Sequence, residues 1–327
     1  MALAVCLALC AASRAWPQEQ VATPSDVKPG SITLEDVPYP HPVPYLPMTV
    51  YGQDVRMAYM DVAPSAPANG RTVALFHGMN FFGEYWAATI EVLRKQGFRV
   101  VVPDQIGFGR SSKPVIPYNF HDMALNTRRL LQHLGIARAA IVGHSMGGML
   151  TARFAAAYPD MTERAVIYGP IGLTDPRVSS PWRSTDEAYK AMLGRSYQQI
   201  EQGIRRYFPN PGTWKPEYER YARIHYSWTL GGDWPRFAMV RALVGQMPYL
   251  DPVVYDWPHI KVKTLVLGGE KDSPDFPARA KHIASTIPGA ELVLLPNLGH
   301  VPHFEAPDMF HAALLKFLKA EQAANDR

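Results

Sequence analysis

The chain of 327 residues is poor in cysteine: it has two, Cys6 and Cys10, both within the first ten positions. The remainder therefore has neither a thiol nor a disulfide and must fold on its core alone. Charge of one sign is also scarce. Lys and Arg number 33 against 29 Asp and Glu, a net charge of +4 spread along the chain with no basic block. Phosphate backbones are bound by clustered Lys and Arg, so nucleic acid is not an expected partner. Beyond the N-terminus no apolar run is long enough for a membrane helix. Internal repeats are absent too, and nothing resembles a dedicated assembly segment. The 47% of hydrophobic and 19% of charged residues are those of an ordinary globular domain. The length allows one large α/β domain or two small ones.

The first fifteen residues, from Met1 to Ala15, hold an uncharged apolar stretch of about a dozen positions, too short to span a bilayer. Ser13-Arg14-Ala15 places small residues where a processing site wants them. The expectation is a signal peptide over 1–15, a mature chain from near Trp16, and a periplasmic or secreted location. No Lys or Arg precedes the apolar run, so the usual basic start is missing.

Residues 16–47 contain Pro17, Pro24, Pro29, Pro38, Pro40, Pro42, Pro44 and Pro47. This density is incompatible with helix or central strand and predicts an extended arm over the surface. From Met48 the pattern alternates, with a hairpin turn expected at Gly52-Gln53-Asp54. Short apolar runs then alternate with helical stretches: strand Thr72–Phe76, helix Gly83–Gln96, strand Phe98–Pro103, helix Phe120–Leu134, strand Ala139–Val142, helix Met149–Tyr158 and strand Arg164–Tyr168. Such spacing means right-handed crossovers and a doubly wound, mostly parallel sheet. The rhythm breaks at Gly169-Pro170 and resumes with strand Thr264–Gly268, helix Pro277–Ile287, strand Glu291–Leu295 and helix Pro307–Ala323. One α/β core, 48–170 with 257–327, is thus expected to carry a helical, aromatic-rich insertion, 171–256, placed as a lid.

The most informative run is Ile141-Val142-Gly143-His144-Ser145-Met146-Gly147-Gly148. A strand enters Gly-x-Ser-x-Gly and a small-residue helix leaves it. So tight a turn strains the central residue and needs neighbours almost without side chains. It also sets Ser145 Oγ at a helix start, whose free N–H groups favour negative charge.

With this run, three further signatures follow in order: His77-Gly78, Asp104-x-x-Gly107-x-Gly109-x-Ser111, and Gly268-Gly269-Glu270-Lys271-Asp272 with Gly299-His300. Together they resemble the α/β-hydrolase fold superfamily over roughly residues 48–322, in its serine-nucleophile, lid-bearing branch with a His-Gly oxyanion loop. The resemblance implies Ser145 as nucleophile, His300 as general base with His303 as rival, and Asp272 as orienting acid with Asp275 as rival. It implies backbone N–H groups of Met79 and Met146 as the oxyanion hole, and no cofactor. A metal reading of His300-x-x-His303-x-Glu305 is opposed by Pro302, which disfavours a regular helix there. Asp104, His77 and His144 read as braces of the site.

Serine at the elbow points to acyl transfer. The expected activity is hydrolysis of an ester or related acyl compound of small to medium size. A serine-dependent C–C bond or amide hydrolase of the same fold, or a non-catalytic small-molecule-binding protein, stands as the alternative. Phe81, Phe82 and Met149 near the site, His77, and Met239 of the insertion are candidate pocket residues, suggesting an apolar small molecule. Those aromatics could equally build the insertion's own core.

Overall fold

A computed structural model of the chain describes residues 21–320. The expected signal peptide, 1–15, and the last residues of the expected C-terminal helix lie outside the described residues. One eight-stranded sheet organises the rest, in the order β1-β2-β4-β3-β5-β6-β7-β8. The hairpin β1 (Tyr45–Val50) and β2 (Gln53–Val62) is antiparallel, and β2 pairs antiparallel with β4 (Arg99–Pro103). From β4 the sheet is parallel through β3 (Thr72–Phe76), β5 (Ala139–His144), β6 (Thr162–Tyr168), β7 (Thr264–Gly269) and β8 (Glu291–Leu295). The central strands β3 and β5 are buried along their whole length, which is why they read as unbroken apolar runs.

Winding reverses at β3. The chain steps from β3 through α1 (Ala87–Lys95) to β4, then returns through α2 (Phe120–His133) to β5 on the other side of β3. Right-handed crossovers in opposite directions put α1 and α2 on opposite faces. The helices α3 (Met146–Ala157) and α8 (Phe276–Thr286) continue the second winding, and α10 (Pro307–Lys319), preceded by the short α9 (Pro302–Glu305), packs beside α1. A crevice opens where the winding reverses, outside the carboxyl ends of β3 and β5.

Several boundaries move from their expected places for local reasons. Strand β1 begins at Tyr45, inside the expected arm, because an edge strand tolerates Pro47 where a central one would not. Its turn is Tyr51-Gly52, with φ of 50° and 70°, one residue earlier than expected. Two-residue hairpin loops favour that left-handed pair because it matches strand twist. Helix α1 is preceded by a tight 3-10 turn, Gly83–Trp86. Helix α3 starts at Met146 rather than Met149, so the glycines after Ser145 belong to the helix.

Between β6 and β7 the insertion forms α4 (Thr185–Leu193), α5 (Tyr197–Arg205), α6 (Glu219–Thr229) and α7 (Trp234–Leu250). Ser184 with Glu187 and Ser196 with Gln199 form reciprocal capping boxes that start α4 and α5. The pairs α4–α7 and α5–α6 pack together.

The proline-rich arm ties insertion to sheet. Its Gly30 N–H donates to the Ser227 carbonyl of α6 at 3.1 Å, and Trp228 Nε1 donates to the Ser31 carbonyl at 3.1 Å. At its other end Tyr39 O–H donates to Asp104 Oδ2 at 2.7 Å. Asp104 also accepts from the Gly83 and Arg110 N–H groups at 2.7 and 2.8 Å, so it braces the loop after β4.

That loop ends on Lys113, which is 4% exposed and donates from Nζ to the Gly109 and Ser111 carbonyls at 2.6 and 2.8 Å. Burial pulls its pKa from 10.5 down to about 7, with Asp104 opposing the shift. The folded protein therefore loses this proton near 7 while an unfolded chain keeps it to 10.5. Unfolding takes up a proton across that window, so Lys113 makes stability rise with pH there, by up to about 1.4 kcal/mol per pH unit. Urea unfolding across the window should show this gain in the wild type and a flatter response in Lys113→Met. Parallel pH profiles for the two proteins would count against it.

Candidate active site

Ser145 stands at the end of β5, at the crevice. Its backbone has φ 58° and ψ −115°, a conformation that a residue with a side chain holds only when its surroundings impose it. A Cβ on Gly143 would lie 1.9 Å from the Gly147 carbonyl oxygen, and one on Gly147 would lie 2.4 Å from that of Phe76. The two glycines thus let strand, turn and helix close on one another. The Ser145 N–H is anchored on the Tyr168 carbonyl at 2.9 Å.

His300 lies between β8 and α9, and Asp272 just past β7. The His300 Nδ1 is 2.9 Å from both carboxylate oxygens of Asp272. A carboxylate only accepts, so Nδ1 carries the proton and Nε2 presents its lone pair. That Nε2 is buried and has no hydrogen-bond partner among the described residues. The His300 ring packs 4.7 Å from the ring of His144, the residue before Ser145, and 4.7 Å from that of Tyr207 in the insertion.

The two rivals are placed elsewhere. Asp275 is exposed at the start of α8, bonded to Arg279 and Ser273, and the Arg279 bond holds its carboxyl below the usual range. His303 bonds through Nδ1 to Tyr168 O–H at 2.9 Å and packs 4.9 Å from the Trp86 ring; burial pushes its pKa well down. Glu305 accepts from the Gly299 N–H at 2.8 Å and from Thr213 Oγ1 at 3.0 Å. Pro302 does not prevent a helix here: it starts α9 at the first helical position, where its missing N–H is not needed. Among the described residues no group of three or more His, Cys, Asp or Glu is arranged to hold a metal.

The loop His77-Gly78-Met79-Asn80 follows β3 and closes over the elbow. A Cβ on Gly78 would lie 3.2 Å from Ser145 Cβ. Among the described residues neither the Met79 nor the Met146 N–H donates to a protein acceptor. Instead, the Met79 carbonyl accepts from Arg241 Nη1 and Asn80 Oδ1 from Arg241 Nη2, each at 2.7 Å, and Asn80 Nδ2 donates to Tyr207 O–H at 2.7 Å.

A hydrogen-bonded chain joins this loop to the histidine loop. The Gly78 N–H donates to Tyr85 Oη at 3.1 Å, and Tyr85 O–H donates to His144 Nδ1 at 3.1 Å. His144 Nε2–H then donates to the His300 carbonyl at 2.7 Å. Burial, then the neighbouring His300 and His303, hold His144 well below the usual histidine range, so it stays neutral and keeps this tautomer. His77 is buried alike, with Nε2 accepting from the Gln105 N–H at 3.1 Å and Nδ1 donating to the Gly78 carbonyl at 2.9 Å.

Phe81, Phe82 and Met149 are all buried, Phe81 stacking 4.8 Å from Tyr85 and Phe82 6.0 Å from Tyr39. Met239 is half-buried on α7. Tyr85, Tyr168, Tyr207 and Arg241 were not singled out in the sequence. Each acts through a partner distant along the chain, which no local spacing announces.

A sequence model of the alpha/beta hydrolase family matches residues 73–313. The chain belongs to the α/β-hydrolase family. Among solved structures it is similar to a probable hydrolytic enzyme from Pseudomonas aeruginosa PAO1, with 40% identity and a TM-score of 0.86, covering 90% of this chain and 99% of the other. It is also similar to a thermophilic esterase from Thermogutta terrifontis, with 25% identity and a TM-score of 0.67 over 85% of this chain and 98% of that one. A hydrolase from Pseudomonas aeruginosa PA01 matches at 25% identity and a TM-score of 0.67, with 85% and 98% covered. These α/β-hydrolase relatives share hydrolytic chemistry, and the chain is a hydrolase in that broad sense.

The elbow packing makes a direct prediction. Gly143→Ala should lower the unfolding free energy by about 1–3 kcal/mol, because backbone on both sides resists the methyl group. Thermal denaturation checks this, and an unchanged melting temperature would mean that the contact relaxes freely.

Proposed function

We propose that this protein is a serine hydrolase that cleaves an ester or related acyl compound through an acyl-enzyme on Ser145. The observation that carries this reading is the state of His300. Its Nδ1 is committed to Asp272, and its unpartnered Nε2 lies buried beside the residue that precedes the strained Ser145. A base so held has one free lone pair and one fixed orientation.

In this reading His300 Nε2 takes the Ser145 hydroxyl proton as Oγ attacks the acyl carbon. The Met79 and Met146 N–H groups receive the charge that develops on the carbonyl oxygen. The imidazolium, stabilised by Asp272, returns the proton to the leaving oxygen. Water, deprotonated by the same Nε2, then attacks the acyl-enzyme and releases the acid with Ser145 restored. The insertion 171–256 serves as a lid, since Tyr207 and Arg241 reach the oxyanion loop. The esterase from Thermogutta terrifontis supports the choice of ester substrates. Residues 1–15 belong to the same proposal as an export leader.

Intact mass after incubation with a fluorophosphonate should show a single adduct on the wild type and none on Ser145→Ala. An adduct on both proteins would place the activated nucleophile elsewhere. Asp272→Asn should lower turnover by about 10⁴ by releasing the histidine tautomer. Asp275→Asn should stay within a few-fold, and the reverse order of the two variants would reassign the acid.

A further inference from the structure

The insertion holds a cavity of about 240 Å³ between α4 and α7. It is lined by Met192, Ala242, Tyr249 and the exposed Trp182 and Leu250, by Gln246 and the exposed Arg183, and by Arg241, its buried charge. Arg241 is 8% exposed, and its two side-chain hydrogen bonds go to neutral acceptors, the Met79 carbonyl and Asn80 Oδ1. Two of its five N–H groups are thereby committed. Among the described residues no carboxylate lies within ion-pair distance of Arg241, whereas buried Arg153 has both Asp251 and Asp256.

The surrounding charge worsens this imbalance. Arg195, also without an ion pair among the described residues, is the cation that most disfavours the charge on Arg241. Burial, and then Arg241, push His225 well below its ordinary range. An unneutralised buried guanidinium is costly, and a bound anion removes most of that cost.

We propose that this cavity binds a carboxylate carried by the substrate, paired with Arg241. Calling the ligand a substrate rests on the serine-hydrolase reading; the anion site itself does not. The position explains the arrangement, because Arg241 grips the loop that bears the Met79 N–H. Because Arg241 Nη1 is 2.7 Å from the Met79 carbonyl, an acid paired with Arg241 would be carried next to the oxyanion loop, so the substrate class is a small ester with a free carboxylate, such as a half-ester of a dicarboxylic acid. The wholly apolar substrate suggested by the aromatic content of the insertion gives way to an apolar body with one acidic end.

The test pairs binding with kinetics. Calorimetric titration with glutarate should show binding to the wild type and none to Arg241→Gln. Gly245→Leu is the second variant: a Cβ at Gly245, in the cavity wall, meets no atom within 4 Å, so the fold accommodates it while the added side chain fills the cavity. It too should lose glutarate. In turnover, 4-nitrophenyl hemiglutarate should exceed its neutral methyl ester at least about tenfold in kcat/KM, the size of one charge-assisted hydrogen bond. Arg241→Gln should bring that ratio near one, whatever it does to the absolute rates.

A wild type that is labelled by fluorophosphonate yet neither binds glutarate nor prefers the acid overturns this site and leaves the hydrolase reading intact. Glutarate binding that depends on Arg241 and the cavity, without labelling, keeps the site and removes that reading. Wild-type glutarate affinity in Gly245→Leu, or an undiminished preference in Arg241→Gln, also overturns the proposal.

Discussion

A left-handed backbone at Ser145 cannot hold itself, and the packing around it is organised to hold it. With φ at 58° the serine needs support from both sides of the turn. Below it, Gly143 and Gly147 allow strand and helix to approach closer than any side chain permits. Beside it, the Tyr168 carbonyl fixes its N–H. Above it, the chain from Gly78 through Tyr85 and His144 to the His300 carbonyl ties three loops into one unit. The histidine next to the serine is thus a neutral connector, and its burial is what keeps it so.

The same logic explains why the insertion and the arm matter to a site that lies on the sheet. Tyr207 places a ring against His300 and accepts from Asn80, while Arg241 holds Met79 and Asn80. The arm crosses from α6 to Asp104 and so fastens the insertion to the loop behind the elbow. Site geometry is therefore shared by segments more than a hundred residues apart. A charge left unpaired at this junction is the least economical feature of the fold, and the most informative one about what binds there.

Much of the architecture was legible because parallel strands buried on both faces must be apolar throughout, while their crossover helices must be amphipathic. Strand β8 came out at its expected bounds, and Asn119 caps α2 by accepting from the Asp122 N–H. The misplacements were local. Helix α3 begins at Met146 rather than the expected Met149, and its first-turn Gly147 is what lets it pack against the Phe76 carbonyl.

By itself the sequence determined the doubly wound order of elements, the strained turn at Ser145 and the loops that carry Asp272 and His300. The order of elements and the strained turn are written in local periodicity and glycine spacing, which act over a few residues, while Asp272 and His300 were indicated by the resemblance to the family. Tertiary structure decided which carboxylate meets His300, since Asp272 and Asp275 differ in the sequence by three positions but in the fold by their partners. It also decided that His144 joins two loops and that Arg241 lies buried without an acid. Both depend on contacts between segments distant along the chain, and burial sets charge and tautomer only once those segments have packed.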